Sequence, residues 1–280
     1  MMWSVLCGLA STVFAAQDGE VELRIVHTND THSCVMPVNP NSSDTALADK
    51  GGFVRRAALV RDLRAEDPDL LLFDSGDFSQ GSAYYNLYKG DVEVKLMNEM
   101  RYDAATIGNH EFDFGLDNMA RIFREATFPI VCANYHFEGT VLEGLVRPYV
   151  ILERKGVKVG VFGLGTQLEG MVASENYKGV TYEDPVTAAN RGADELKNKE
   201  HCDLVVCLSH LGWDIDGLDD TELVSATRHI DIVLGGHSHT YFEHPEVLKN
   251  ADGEDVYCNQ MGKHGRYVGM LLLEMSPTGD

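Results

Sequence analysis

The sequence predicts an α/β domain, and two observations carry that prediction. Seven short apolar runs, rich in β-forming residues, each end in Gly, Asn, Asp or His. Several of these runs are separated by stretches whose apolar residues recur at helical spacing. A chain that alternates strand and helix in this way keeps its strands buried on both faces. With 280 residues, of which 44% are hydrophobic, the chain has enough apolar material for a substantial core.

The predicted elements follow one another in a regular order. The strands are VELRIVHTND, DLLLFDSGD, YDAATIGNHE, FPIVCANY, VKVGVFGLGT, CDLVVCLSH and DIVLGGHSH. The helices are VRRAALVRDLRAEDP, DVEVKLMNEMR, LDNMARIFREA and TAANRGADELKNKE, and the first of them closes before Pro68. No linker, repeat or low-complexity segment divides residues 20–280, so we expect one domain there. In such folds ligands bind beyond the carboxyl ends of the strands, where the polar residues of these runs fall.

The N-terminal residues predict export. They are apolar and end in small residues, with Val13 and Ala15 placed as in an A-x-A-like cleavage site, so we expect a signal peptide over residues 1–16. No Lys or Arg precedes the apolar stretch, and a buried first helix is therefore the alternative. No later segment is long and apolar enough to cross a bilayer. The expected location is outside the cytoplasm, which means periplasmic or extracellular if the source is bacterial.

The charge balance restricts the partners. The chain has 23 Lys and Arg against 44 Asp and Glu, a net charge of −21. This excess argues against a nucleic-acid duplex or an anionic membrane as the main partner. An anionic substrate would need bound cations, for which a surplus of carboxylates is suited.

Five cysteines remain beyond the predicted leader, with no CxxC pair and no zinc-finger spacing. We expect them to be structural, because a free thiol within an apolar run behaves as a small buried hydrophobe. They are Cys34, Cys132, Cys202, Cys207 and Cys258.

Five polar clusters follow predicted strands and supply candidate metal ligands. Alternate residues of an extended segment point to the same side, so the pairs in DxH and HxH can each reach one ion. A lone His or Asp at a strand end is usually a capping or turn residue, but five such clusters in order predict a two-metal hydrolytic centre. The candidate ligands are Asp30, His32, Asp77, Asn109, His210, His237 and His239. The remaining histidines belong to no cluster and are expected to lie apart: His27, His136, His201, His229, His244 and His264.

The order of motifs resembles a known family. D-x-H, G-D, G-N-H-E, a single His and G-H-x-H resemble the series of the calcineurin-like metallophosphoesterase superfamily. GNHEFDFG and QMGKHGRYVG are similar to its secreted 5′-nucleotidase branch, and the resemblance covers about residues 21–275. It implies a four-layer αββα sandwich, in which two mixed β-sheets are flanked by helices and a dinuclear site lies at their C-terminal edges.

The resemblance also implies a role for each ligand. Asp77 would bridge two divalent ions, with Asp30, His32 and His239 on one ion and Asn109, His210 and His237 on the other. One position departs from the pattern, because several nucleotidases have Gln or Asn where His239 stands. The identity of the ions, among Mn, Zn, Fe and Mg, therefore stays open, although imidazole ligands favour Zn, Mn or Fe over Mg.

The loop GNHEFDFG contains the predicted catalytic residues. Asn109 and His110 would bind the substrate phosphate, and His110 would stabilise its charge or protonate the leaving oxygen. Asp113 would orient the imidazole of His110. Glu111 is expected to tie down the loop.

The implied activity is hydrolysis of phosphate monoesters by water activated at the dinuclear centre, with nucleoside 5′-monophosphates as the first candidates. Two alternatives use the same centre: cleavage of cyclic-nucleotide diesters and hydrolysis of sulfur-oxyanion esters. A third alternative is a non-catalytic, partner-binding subunit.

Nucleotidases of this branch carry a C-terminal domain that holds the base, and the 280 residues stop where that domain would begin. We expect either that a separate polypeptide resembling it docks here or that this domain acts alone. Tyr84, Tyr85 and Tyr88 could offer a stacking surface, but aromatic residues at near-helical spacing more often pack in a core.

Overall fold

The computed structural model describes residues 4–6, 21–43, 45 and 48–275, and it confirms the predicted α/β sandwich. The helices are α1 (Phe53–Glu66), α2 (Ala83–Tyr88), α3 (Asp91–Met100), α4 (Gly115–Glu125), α5 (Pro185–Asp194) and α6 (Asp220–Ala226). The strands are β1 (Ser4–Leu6), β2 (Val21–Thr28), β3 (Leu71–Asp74), β4 (Ala104–Ala105), β5 (Ile130–Val131), β6 (Tyr135–His136), β7 (Val146–Arg147), β8 (Tyr149–Arg154), β9 (Val157–Gly165), β10 (Thr181–Tyr182), β11 (Leu204–His210), β12 (Ile232–Leu234), β13 (Glu246–Lys249), β14 (Asp255–Asn259) and β15 (Gly269–Met275).

Two mixed sheets contain most of these strands. The first has seven strands in the order β1-β15-β2-β3-β4-β5-β7, and the second has six in the order β13-β14-β12-β11-β9-β8. From β2 to β7 the first sheet is parallel, while β15 runs antiparallel to β2. In the second sheet β9, β11, β12 and β14 are parallel, with antiparallel strands at both edges. The parallel strands of each sheet therefore end at a common edge.

Three apolar layers hold the sandwich together. The inner layer lies between the sheets and includes Ile25 and Phe73 of the first sheet and Val161 and Val206 of the second. One outer layer packs α1, α3 and α4 against the first sheet, and the other packs α5 and α6 against the second. Because successive residues of a central strand face different layers, a central strand such as β11 is buried along its whole length.

Gly163 of β9 brings the second sheet into direct contact with the first. Its carbonyl oxygen accepts a hydrogen bond from the Ala133 N–H at 2.7 Å. A Cβ at this position would lie 2.2 Å from the Val131 carbonyl oxygen and 2.3 Å from the Thr106 hydroxyl oxygen. Only glycine fits such an approach, so this residue sets how closely β9 lies against the chain that follows β5.

The predicted helices and strands are confirmed, with differences in extent. The runs YDAATIGNHE and FPIVCANY form only short strands, and α5 continues into a π-helical turn at Glu195–Lys199. The strands that were not predicted include β8 and β13, which are edge strands with partly or largely exposed side chains. Edge strands lack the continuous apolar run that burial on both faces imposes, and this explains why the sequence pattern missed them.

The remaining structural predictions concern the leader, membrane spans and cysteines. The predicted signal peptide over residues 1–16 lies outside the described residues, apart from Ser4–Leu6. Within the described part of the chain, no helix combines the length and apolar character needed to cross a membrane. The five cysteines are free; Cys34 is half-buried and the other four are buried, as expected of structural thiols.

His27 on β2 is a completely buried histidine. Neither of its ring nitrogens has a hydrogen-bond partner among the described residues. Gly269 lies opposite it on β15, and a Cβ there would be 2.0 Å from the His27 Nε2, so the ring fills the space that a side chain would need. Burial lowers the pKa of His27 from 6.5 to about 3. The folded protein therefore keeps this imidazole neutral where the unfolded chain would take up a proton.

We expect the contribution of His27 to make folding acid-sensitive, and His27→Leu to remove that part of the pH dependence. The contribution of neutral His27 to the free energy of unfolding is fully present above pH 6.5 and is lost as the pH falls toward 3. In this range only the unfolded chain binds the proton. At pH 5 the loss is roughly 2 kcal/mol, since one pKa unit corresponds to about 1.4 kcal/mol. Denaturant unfolding at pH 7 and pH 5 measures it, with exposed His244→Leu as the control. The same pH dependence in wild type and His27→Leu would contradict the prediction.

Candidate metal centre

The seven predicted ligands converge at the carboxyl ends of strands from both sheets. They lie in the loops after β2 (Asp30, His32), β3 (Asp77), β4 (Asn109) and β12 (His237, His239), and at the end of β11 (His210). Parallel strands in stacked sheets bring the loops that follow them to one edge of the domain. Residues as distant in sequence as His32 and His239 therefore meet there.

Six of the seven residues form two compact groups. The groups are Asp30, His32 and His239, and Asp77, His210 and His237, and within each group the ligand atoms lie within 4.8 Å of one another. In the first group the Nε2 atoms of His32 and His239 are 2.9 Å apart. In the second group the His210 Nε2 lies 3.1 Å from a carboxylate oxygen of Asp77. Converging, largely buried imidazole nitrogens and carboxylate oxygens are the donors that a pair of divalent cations requires.

Asn109 lies beside the second group and also fits a metal centre. Its Oδ1 is buried and has no hydrogen-bond partner in the described part of the chain. An orphaned buried acceptor costs roughly 1–3 kcal/mol, which a bound cation would offset. Asp77 connects to the same loop, because its Oδ1 accepts the His110 backbone N–H at 2.9 Å. The complete donor set fits two cations, and its imidazoles favour Zn, Mn or Fe over ions that prefer all-oxygen shells.

Three residues that the sequence analysis did not single out orient these ligands. Asn29 donates from Nδ2 to the Asp30 carboxylate at 2.6 Å. The Ser75 carbonyl oxygen accepts from the His210 Nδ1 at 2.6 Å, which turns the Nε2 lone pair toward the site. Gln260 donates from Nε2 to the Gly236 carbonyl oxygen at 2.9 Å and accepts the Thr240 N–H through Oε1 at 2.5 Å, so its amide spans His237 and His239. The contacts of Ser75 and Gln260 run between side chain and backbone across loops, so motif spacing carries no signal for them.

The backbone around the ligands is strained. Five ligand residues have φ between 42° and 71°, the left-handed region that residues other than glycine rarely adopt: Asp30, His32, Asp77, His237 and His239. Each such conformation costs on the order of 1–3 kcal/mol and persists only where the surroundings over-determine it. Hydrogen bonds between the loops supply that constraint, and the result is that short segments aim several side chains at one place.

Glu111 ties two of these loops together, which confirms its expected role. One oxygen of its buried carboxylate accepts the backbone N–H groups of Asp77 at 3.0 Å and Gly108 at 2.7 Å. The other oxygen accepts the Ser79 N–H at 3.0 Å. Burial, helped by the negative charge of Asp77, raises the pKa of Glu111 to about 7 against the opposing effect of the backbone donors. A single side chain thus fixes the loop after β3 against the loop after β4.

His110 stands at the edge of the two ligand groups, next to Asp113. Its Nδ1 lies 3.1 Å from a carboxylate oxygen of Asp113, and its ring centroid is 5.5 Å from that of His32. Burial by itself lowers the pKa of His110, but the hydrogen bond to Asp113 and the charge of Asp77 outweigh it, so the pKa is raised overall. A half-buried imidazole held in this way can donate a hydrogen bond or a proton to an anion at the ligand groups.

His264 also lies beside the site, so the prediction that it belongs to no cluster was wrong. Its ring centroid is 5.9 Å from that of His32, and its backbone N–H donates to the Asp30 carbonyl oxygen at 2.8 Å. The reason is topological: β14 runs parallel to β12, so the loop after β14 reaches the same edge as the loops that hold the ligands. The strand β14 was not predicted, and without it the position of His264 could not be inferred.

The three tyrosines of α2 differ in burial. Tyr85 is buried, and its hydroxyl donates to the His110 carbonyl oxygen at 3.2 Å. Tyr84 and Tyr88 keep 37% and 51% of their surface exposed. Packing in a core is therefore confirmed for Tyr85 alone.

Comparison with known proteins identifies the family. A family model described as calcineurin-like phosphoesterase matches residues 23–241. The chain belongs to this family. The calcineurin-like phosphoesterase domain is similar to human 5′-nucleotidase, with 32% identity over 296 residues that cover 99% of this chain and 50% of that protein. It is also similar to the snake venom 5′-nucleotidase of Crotalus adamanteus, with 33% identity over 280 residues, 94% of this chain and 47% of that protein.

A solved structure confirms the architecture of this calcineurin-like phosphoesterase. The 5′-nucleotidase precursor from Thermus thermophilus aligns with a TM-score of 0.80 and 33% identity, covering 90% of this chain and 51% of that chain. The chain spans about half the length of the relatives it matches. The family assignment and the fold implied by the motifs are therefore both confirmed.

Proposed function

We propose that this calcineurin-like phosphoesterase hydrolyses phosphate monoesters and that nucleoside 5′-monophosphates are its substrates. The observation that carries the proposal is the pair of three-residue ligand groups with His110 and Asp113 at their edge. The substrate class is supported by relatives named 5′-nucleotidases at 32% and 33% identity over nearly the whole chain.

In this proposal Asp77 would be a ligand of both divalent cations. It is supported by the position of Asp77, which lies 3.1 Å from His210 of its own group and acts electrostatically on His32 of the other. When bound, the two cations supply Lewis acidity for the phosphoryl oxygens and for the attacking water. Asp30, His32 and His239 would hold one cation, and Asn109, His210 and His237 the other, with Mn, Zn, Fe and Mg as candidate ions.

The residues around the centre bind the substrate and move the proton. Asn109 and His110 bind the phosphate, and the raised pKa of His110 favours the charged imidazolium that stabilises it. Asp113 accepts from the Nδ1 of His110, which leaves the Nε2–H for the phosphoryl or the leaving oxygen. The cations and His110 together provide the positive charge that a chain of net charge −21 needs to hold an anionic ester.

We propose in addition that the protein is exported. Residues 1–16 have the composition of a signal peptide, and one relative is a venom enzyme. Expression of the whole chain in a bacterial host, followed by fractionation and N-terminal sequencing, should recover a periplasmic protein that begins near residue 16. A cytoplasmic protein with an intact N-terminus would refute export.

The function is tested by phosphate release from adenosine 5′-monophosphate, a cyclic nucleotide and an aryl phosphate, with metals removed and then restored. We expect metal-dependent release from the monophosphate, lowered on the order of a hundredfold in His110→Ala because the variant lacks a donor to the phosphate. His244→Ala is the control, since His244 is exposed and outside both ligand groups.

The other outcomes separate the alternatives. Cleavage of the cyclic nucleotide alone would indicate a phosphodiesterase. No release with Mn, Zn or Mg restored would mean that a second polypeptide is required or that the chain is not catalytic.

A further inference from the structure

We propose that a cavity beside His32 is the leaving-group subsite of the ester and that it takes a planar, uncharged ring such as a nucleobase. The inference rests on the proposed function, since it extends the same site toward the part of the substrate that departs. The cavity has a volume of about 300 Å³. Its walls include His32, Cys34, Met36, Ser82, Tyr84 and His264.

The cavity begins at the metal centre itself. His32 belongs to the first ligand group and also lines the cavity, and His264, another lining residue, has its ring 5.9 Å from the ring of His32. A group attached to a phosphate oxygen at the ligand groups therefore meets this cavity directly. Three larger cavities, of about 320, 350 and 520 Å³, have no candidate ligand in their walls.

The lining selects for an uncharged ring. None of the residues that line the cavity is an Asp, Glu, Lys or Arg, in a chain with 67 such residues among 280. The loop after β2 contributes apolar lining that includes Met36, which is 59% exposed, and the start of α2 contributes Tyr84, which keeps 37% of its surface exposed. An aromatic face and a polarisable thioether bind planar rings well, and the imidazole of His264 can hydrogen-bond to ring nitrogens.

The walls are held in place before any ligand arrives. The Ser33 and Ser82 hydroxyls are hydrogen-bonded at 2.6 Å, which links the loop after β2 to the start of α2. Ser82 also caps α2 by accepting the Tyr84 N–H at 3.1 Å, so the ring of Tyr84 projects from an anchored backbone. On the other side, the His264 N–H is bonded to the Asp30 carbonyl oxygen. A subsite fixed in this way loses little entropy on binding, and affinity gains accordingly.

The first test compares adenosine 5′-monophosphate with ribose 5-phosphate, which has the same primary ester but no base. We expect Tyr84→Ala to lower kcat/KM for the nucleotide about tenfold, because the base then loses an aromatic side chain on which to stack. The value for ribose 5-phosphate should not change. Tyr88→Ala is the matched control, since Tyr88 is exposed on the same helix but does not line the cavity.

The second test does not depend on catalysis and measures binding of adenosine to the metal-loaded protein by calorimetry. We expect weak binding to wild type and Tyr88→Ala and its loss in Tyr84→Ala and His264→Ala. No adenosine binding, or equal binding by Tyr84→Ala, overturns the inference whatever the phosphate release. Failure of wild type to release phosphate from either ester overturns the proposed function instead, so the two failures are distinguishable.

Discussion

Replacing Asp77 with alanine is expected to lower phosphate release on the order of a thousandfold or more and to strip the protein of bound metal. Asp77 is the one carboxylate of its ligand group, and its charge reaches the other group as well. Its removal would leave neighbouring cations without the anionic oxygen between them. The expected result is a fall from two ions per chain to one or none, measured by elemental analysis of the purified protein.

Two further variants separate the charge of Asp77 from its hydrogen bond. Asp77→Asn keeps an oxygen for the His110 backbone N–H but removes the charge, so it should lose metal nearly as completely as the alanine variant. Asp113→Asn is the matched control, because Asp113 contacts His110 and belongs to neither ligand group. It should retain both ions while turnover falls. Two tightly bound ions in Asp77→Ala would refute the bridging role.

Of the substitutions proposed, Glu111→Ala is expected to lower the free energy of unfolding most. The side chain is fully buried and accepts three backbone N–H groups, from Asp77, Ser79 and Gly108. Each buried donor left without a partner costs about 1–3 kcal/mol, so we expect the three together to cost at least about 3 kcal/mol. For a domain of this size that corresponds to a decrease of about 10 °C in Tm. Thermal unfolding followed by circular dichroism measures it.

Two control variants test whether the loss of stability comes from the hydrogen bonds of the Glu111 carboxylate. Glu111→Gln preserves the volume but turns an N–H₂ group toward one set of donors, so its stability should lie between wild type and Glu111→Ala. Glu99→Ala removes an exposed glutamate from α3 and should leave Tm within a degree or two of wild type. A Glu111→Ala protein as stable as the Glu99→Ala protein would show that the three hydrogen bonds contribute nothing to folding.

Much of the fold could be predicted because burial on both faces leaves a strong local signal. Runs such as CDLVVCLSH are apolar without a break from Leu204 to Leu208, and the observed β11 is buried from Leu204 to His210. β13 carries no such signal, because its side chains are mostly exposed at the edge of the second sheet. The contact at Gly163 is likewise invisible in the sequence, since its neighbours Val131 in β5 and Thr106 just after β4 are distant along the chain.

The sequence by itself determined which residues could bind metal and in what order they occur, because strand ends, alternate spacing and ligand chemistry are local properties. It also determined the link between His110 and Asp113, which are three residues apart and meet through a single turn of chain. That His32 meets His239 and His210 meets Asp77 was implied by the family resemblance, but residue spacing does not show it, and the tertiary structure is what brings these side chains together. It alone placed His264 at the site as well. These contacts depend on the direction of the parallel strands and on the stacking of the two sheets, which set the distances between loops that are far apart in the chain.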